Sequence, residues 1–118
     1  MIKAYIGTKI IRAEPKESGA QKGYRVVYED GYESWSPKDV FEAAYVEMRD
    51  VSSLEPHQVR VVGEKAELDH KRAKLIAFIT SPAFEKVETA EKNRLTRQLT
   101  IMDDYSAVLG ERIVGFYF

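Results

Sequence analysis

The sequence predicts an α+β protein: a small antiparallel β-sheet with a short packed helix, followed by a long C-terminal αα-hairpin that oligomerises. Three observations lead there. Asp30-Gly31 separates two aromatic and β-branched runs, YRVVYE and YESW, which is the pattern of a β-hairpin. Between 56 and 79 the apolar residues recur at helical spacing. Positions 95, 99, 102, 106, 109, 113 and 116 read Leu, Leu, Met, Ser, Leu, Ile and Phe, an amphipathic helix with one polar exception.

The elements follow in order. IKAYIGTKIIRA, residues 2–13, is rich in β-branched and aromatic residues and predicts a strand, bent at Gly7. Residues 14–23, EPKESGAQKG, carry Pro and Gly and predict a loop. A two-residue type I′ turn at Asp30-Gly31 would place Glu29 opposite Tyr32, Tyr28 opposite Glu33 and Val26 opposite Trp35. Side chains alternate along strands, so one face would carry Tyr24, Val26, Tyr28 and Trp35. The other would carry Arg25, Val27, Tyr32 and Ser34.

A helix over 37–48 is expected next, with Ser36 as N-cap, Pro37 at the first helical position and Asp39 in the first turn. Phe41, Ala44, Tyr45 and Met48 share its apolar face. Ser52 and Glu55 have capping-box spacing before the helix at 56–79. In that helix Val61, Leu68, Leu75 and Ile79 form a stripe, widened by Val62, Ala66, Ala73 and Ile76. Ser81-Pro82 opens a short turn around Phe84, and a final helix is expected over 90–114. A second stripe on it, Ile101, Tyr105 and Val108, lies beside the first and favours self-association. With 118 residues the chain suits a single domain, residues 1–50 supplying the sheet and short helix and 51–118 the helical hairpin.

Composition removes several function classes. The net charge is −1, from 18 basic and 19 acidic residues, so no global field draws DNA or a membrane surface. There is no cysteine, which excludes disulfides, zinc-thiolate sites and a cysteine nucleophile. The N-terminus lacks a signal-peptide pattern, and no apolar run approaches a membrane span. His57 and His70, thirteen residues apart on one helix, do not share a metal-binding face. Asp103 and Asp104 diverge by about 100° on a helix and are expected on a solvated face. No nucleophile elbow, P-loop or zincin motif occurs. The expectation is a non-enzyme without a cofactor.

Three places remain open to a ligand. Arg25 lies among aromatic residues on the second sheet face, which is either solvated or a ligand or oligomer contact. Phe84 sits at the break between the long helices, with Asn93, Arg94 and Arg97 following. It either caps the hairpin or offers its face to a ring, while Asn93 is either solvated or reads a polar edge. Arg112, in LGERI, would need an anion if the helices oligomerise: a neighbouring carboxylate or a phosphate. The tail GFYF is expected to end in the core or at an interface.

AYIGTKIIRAEP and GYRVVYEDGYESWSPKDVFEAAY resemble the N-terminal part of the phage Thoeris anti-defence sponge family. The half from PHQVRVVGEKAELDHK to VLGERI is similar to small helical phage proteins, including the anti-CBASS cyclic-nucleotide sponges. The resemblance implies a protein that binds, without cleaving, a cyclic ADP-ribose isomer of the gcADPR type made by TIR-domain enzymes. It implies a homo-oligomer with pockets at chain junctions, acting in the host bacterial cytoplasm. The ligand-contacting aromatic and asparagine of that family would correspond to Phe84 and Asn93, and the phosphate-holding arginines to Arg25 and Arg112. A second site for cyclic di- or trinucleotides, as some relatives have, would correspond to Arg60. A phage protein–protein interaction module built on the helical hairpin is the alternative.

Overall fold

The computed structural model describes residues 1–117, so the last residue of the GFYF tail lies outside the described residues. The order of elements is β1 (Arg12–Pro15), β2 (Gly23–Val27), β3 (Glu33–Pro37), α1 (Lys38–Ala44), α2 (Pro56–Ile79), a 3₁₀ helix (Pro82–Lys86) and α3 (Thr89–Tyr117). The α+β class is therefore as expected. The chain divides into two compact units, Met1–Tyr45 and a second from Val46 onward. No helix among the described residues is long and apolar enough to cross a membrane.

In the first unit the three strands are antiparallel in the order β1-β2-β3. The hairpin differs from expectation by one residue. Arg25 pairs with Trp35, Val26 with Ser34 and Val27 with Glu33. The loop has three residues, not two. Gly31 N–H donates to Tyr28 O at 2.9 Å, and Tyr28 N–H donates to Tyr32 O at 2.8 Å. Gly31 has φ +89° while Asp30 is not in the left-handed region, which is the arrangement of a turn followed by a glycine bulge. Asp30 Oδ1 also accepts from Tyr32 N–H at 3.0 Å.

That one-residue difference exchanges faces on β3. Trp35 joins Arg25, and Ser34 joins Val26. The Trp35 ring lies directly over Gly23, and its Nε1–H donates to Lys16 O at 2.8 Å. The opposite face packs on α1. Tyr24 stacks on Phe41 with ring centroids 4.1 Å apart, and Phe41 stacks on Tyr45 at 5.0 Å. Val26, 1% exposed, is the buried hydrophobic side chain of this unit among the described residues.

The strand expected over 2–13 is not formed before Arg12, and Glu14 and Pro15, placed in a loop from the sequence, belong to β1. Register explains the first difference. Arg12 is already opposite Val27, the last residue of β2. Residues further upstream would face the turn at 28–31, where no strand remains to pair with them. Helix α1 is shorter than the expected 37–48 and ends at Ala44. Ser36, the expected N-cap, is a ladder residue opposite Tyr24, and Pro37 takes the cap position.

In the second unit α2 and α3 form the expected antiparallel hairpin. Val61, Val62, Leu109 and Ile113 are its buried cluster, with Met48, Val51, Leu54, Leu68, Phe116 and Tyr117 packed against it. Leu95, Leu99, Met102, Ser106, Leu109, Ile113 and Phe116 are all buried or half-buried, so the alternating stripe does face α2. The capping box lies three residues beyond the expected Ser52–Glu55 pair. It joins Glu55 and Gln58, and Gln58 Oε1 accepts from Glu55 N–H at 3.0 Å. Tyr117 ties the preceding segment down: its hydroxyl donates to Asp50 O at 2.6 Å, and Arg49 lies 4.1 Å from its ring centre.

Candidate functional site

The helical turn is built locally. Thr80 ends α2, donating its N–H to Ile76 O at 3.1 Å. Ser81 is the N-cap of the 3₁₀ helix, with Pro82 at its start, the cap-and-proline pattern visible in the sequence. This geometry sets Phe84 half-buried and edge-on to Phe78, centroids 6.0 Å apart at 83°. Lys92, in the first turns of α3, reaches back so that Nζ lies 5.5 Å from the Phe84 ring centre. Its pairing with Glu85 is loose, at 3.9 Å. The turn thus holds an aromatic ring beside a cation, the groups that a base with a phosphate would need.

Lys92 was not legible as part of this site. Of the neighbouring Arg94 and Arg97, Arg94 donates its Nε–H to Glu91 at 2.7 Å. Helical phase is the signal that distinguishes them: Lys92 is half-buried, whereas Asn93, Arg94 and Arg97 are exposed.

Arg112 lies far from Phe84 within one chain. It is nineteen residues beyond Asn93 on the same helix, a rise of about 28 Å. It is exposed, next to the buried Ile113. Arg60 is also exposed and precedes Val61. Val61 and Ile113 belong to one buried cluster, so Arg60 and Arg112 lie at the open end of the hairpin. Phe84 and Asn93 lie at the closed end.

Arg25 belongs to the sheet unit. Its Nε donates to Glu14 Oε1 at 2.9 Å and its Nη1 to Glu33. The hydrogen bond to Glu14, then that to Glu33, raises the guanidinium pKa above its ordinary value. Two carboxylates thus already occupy the fork with which Arg25 would hold a phosphate.

The seam between α2 and α3 carries a polar network that adjacent-residue reasoning missed. Lys65 Nζ donates to Asp69 Oδ2 at 2.6 Å and to Ser106 Oγ at 3.1 Å, while Ser106 donates to Asp69 Oδ1 at 2.6 Å. One step along, Arg72 Nε donates to Asp103. Desolvation at the seam works to raise the Asp69 pKa, but the hydrogen bonds from Lys65 and Ser106 and the charges of Lys65 and Arg72 hold it below its ordinary value. Asp103, expected on a solvated face, is an interhelical partner.

Against known proteins, the family model described as Sequestin matches residues 55–114. The match covers α2, the 3₁₀ turn and most of α3. No curated protein and no solved structure matches the chain.

Proposed function

This chain belongs to the Sequestin family, and from that premise we propose that it captures a cyclic ADP-ribose isomer of the gcADPR type, made by TIR-domain Thoeris enzymes, and holds it uncleaved. The observation that carries the reading is the extent of the family match. Residues 55–114 enclose Arg60, Phe84, Asn93 and Arg112, the positions that the anti-Thoeris and anti-CBASS resemblance assigns to ligand. The family's name denotes sequestration, and the residues at the turn suit binding more than turnover. The protein acts, on this reading, in the cytoplasm of a phage-infected bacterium.

The binding site is shared between chains. Phe84 and Asn93 supply the stacking face and a polar edge at the closed end of one hairpin. Arg112 supplies the phosphate contact from the open end of another, because about 28 Å of helix separates the two ends in one chain. The exposed stripe Ile101, Tyr105 and Val108, at 59%, 43% and 51% exposure, supports such an assembly. Sub-micromolar capture requires about 8 kcal/mol or more, which charged hydrogen bonds and a stacked base can supply in a preformed pocket. Arg25 contributes only if a phosphate displaces Glu14 or Glu33. Arg60 is the residue for a second site, taking cyclic di- or trinucleotides of CBASS.

The test is capture and release. Protein incubated with the cyclic ADP-ribose isomer should deplete it from solution and return it intact on heating. Recovery of a hydrolysed product would mean an enzyme. The exposed α3 stripe also suits a second reading, a phage module that docks another protein. That reading predicts no thermal shift with any cyclic nucleotide and retention of one host protein in pull-downs.

A further inference from the structure

The sheet unit holds a groove lined by three lysines. Lys16 follows β1, Lys22 precedes β2 and Lys38 begins α1, and all three line one groove with Glu17, Gly23 and Tyr24. Their backbones are fixed together: Lys16 N–H donates to Gly23 O at 2.8 Å, and Lys38 N–H donates to Lys22 O at 3.1 Å. Among the described residues none of the three ammonium groups is in an ion pair, although Lys65, Lys92, Arg25, Arg72 and Arg94 all are. Glu42, one helical turn beyond Lys38, accepts from the Tyr24 hydroxyl at 2.7 Å instead.

The unit as a whole gives no reason for this crowding. Residues 1–45 carry seven basic and seven acidic side chains, so enough carboxylates are available. On the opposite side of the hairpin two of them, Glu14 and Glu33, converge on the single guanidinium of Arg25. Those ion pairs leave the groove with three lysines and one lining carboxylate, Glu17. Like charges held together repel one another, and an anion placed among them removes that repulsion.

We propose that the Lys16–Lys22–Lys38 groove is an anion site for a small phosphate-bearing molecule, separate from the site at the helical turn. Lysine suits this task as a mobile point charge with three donors. The one carboxylate lining the groove, the exposed Glu17, disfavours a ligand that spreads beyond the three lysines.

The experiment is a titration of the ¹⁵N-labelled protein with inorganic pyrophosphate at constant ionic strength. Saturable shifts are expected at the amides of Lys16, Lys22, Gly23 and Lys38. The triple variant Lys16→Gln, Lys22→Gln, Lys38→Gln should bind at least about tenfold more weakly, while Lys74→Gln, an exposed lysine of α2, should bind as the parent does. Absence of saturable shifts overturns the site. So does equal affinity in the triple variant, or an equal loss in Lys74→Gln. Binding of a single-stranded polyanion without binding of pyrophosphate would also overturn it. None of these outcomes depends on what the helical turn binds, so this proposal and the sequestration reading fail separately.

Discussion

Ser106 on α3 donates its hydroxyl hydrogen to Asp69 on α2 at 2.6 Å, and that bond places the one polar residue of the α3 stripe opposite a carboxylate in the helix seam. Lys65 completes the arrangement from the other side. A hairpin packed only by Val, Leu and Ile could slide by a turn at little cost. A polar pair that must meet its partner selects one register.

Ser106→Ala should therefore lower stability by about 1 kcal/mol, read from urea unfolding. Its acid sensitivity should fall as well. The folded Asp69 carboxyl titrates below its unfolded value. Its contribution is then fully present above an unfolded pKa of about 4 and is lost as the pH falls through the folded pKa. Removing the Ser106 hydrogen bond brings the two values closer, so stability should depend less on pH below about 4. An unchanged acid limb in Ser106→Ala would show that the bond does not set the carboxyl's behaviour.

Gly23→Ala tests the Trp35 face. A Cβ at that position would collide with the Trp35 ring and with the Ser36 carbonyl oxygen, and the second of these is backbone that cannot swing away. A loss of about 1–3 kcal/mol is expected, with a change in Trp35 fluorescence, since Trp35 is the protein's one tryptophan. Native-like fluorescence and stability would contradict the observed hairpin register.

Phe84→Ala and Arg112→Ala should each weaken ligand binding by more than about 1 kcal/mol with the fold intact, measured by calorimetry. Their mixture is the sharper test. If each site takes Phe84 from one chain and Arg112 from a second, co-refolded variants in a two-site dimer should regain roughly a quarter of the parental sites. Recovery of none would place both residues in the same chain's site or in no site.

Tyr105→Lys changes the centre of the exposed α3 stripe. Tyr105 is 43% exposed between Ile101 and Val108, and a lysine there should be tolerated by a single chain but not by an apolar junction. Sedimentation should show a smaller species with little change in helical content. An unaltered molecular mass would move the junction elsewhere.

The helical unit was largely legible in the sequence. The bounds of α2 were read directly, and Ser81-Pro82 announced the 3₁₀ turn, because caps and amphipathic stripes are written in neighbouring residues. The candidate site was legible only in pieces. Phe84 was found because it sits at a chain break. Lys92 was not, because its reach toward that ring depends on how the turn folds back.

What the sequence by itself determined is the class of each element and the stripe each helix buries, since these follow from local spacing and side-chain chemistry. The tertiary structure alone decided the hairpin register, the fate of residues 2–11 and the partners of Ser106. Asp30-Gly31 is compatible with a two- or a three-residue loop, and only the pairing of Arg25 with Trp35 shows which one forms. Residues 2–11 have the composition of a strand but pair with no strand among the described residues. Asp69 and Ser106 are separated by 37 residues. Pairing across such a distance is set by packing and chain reversal, which no local pattern records.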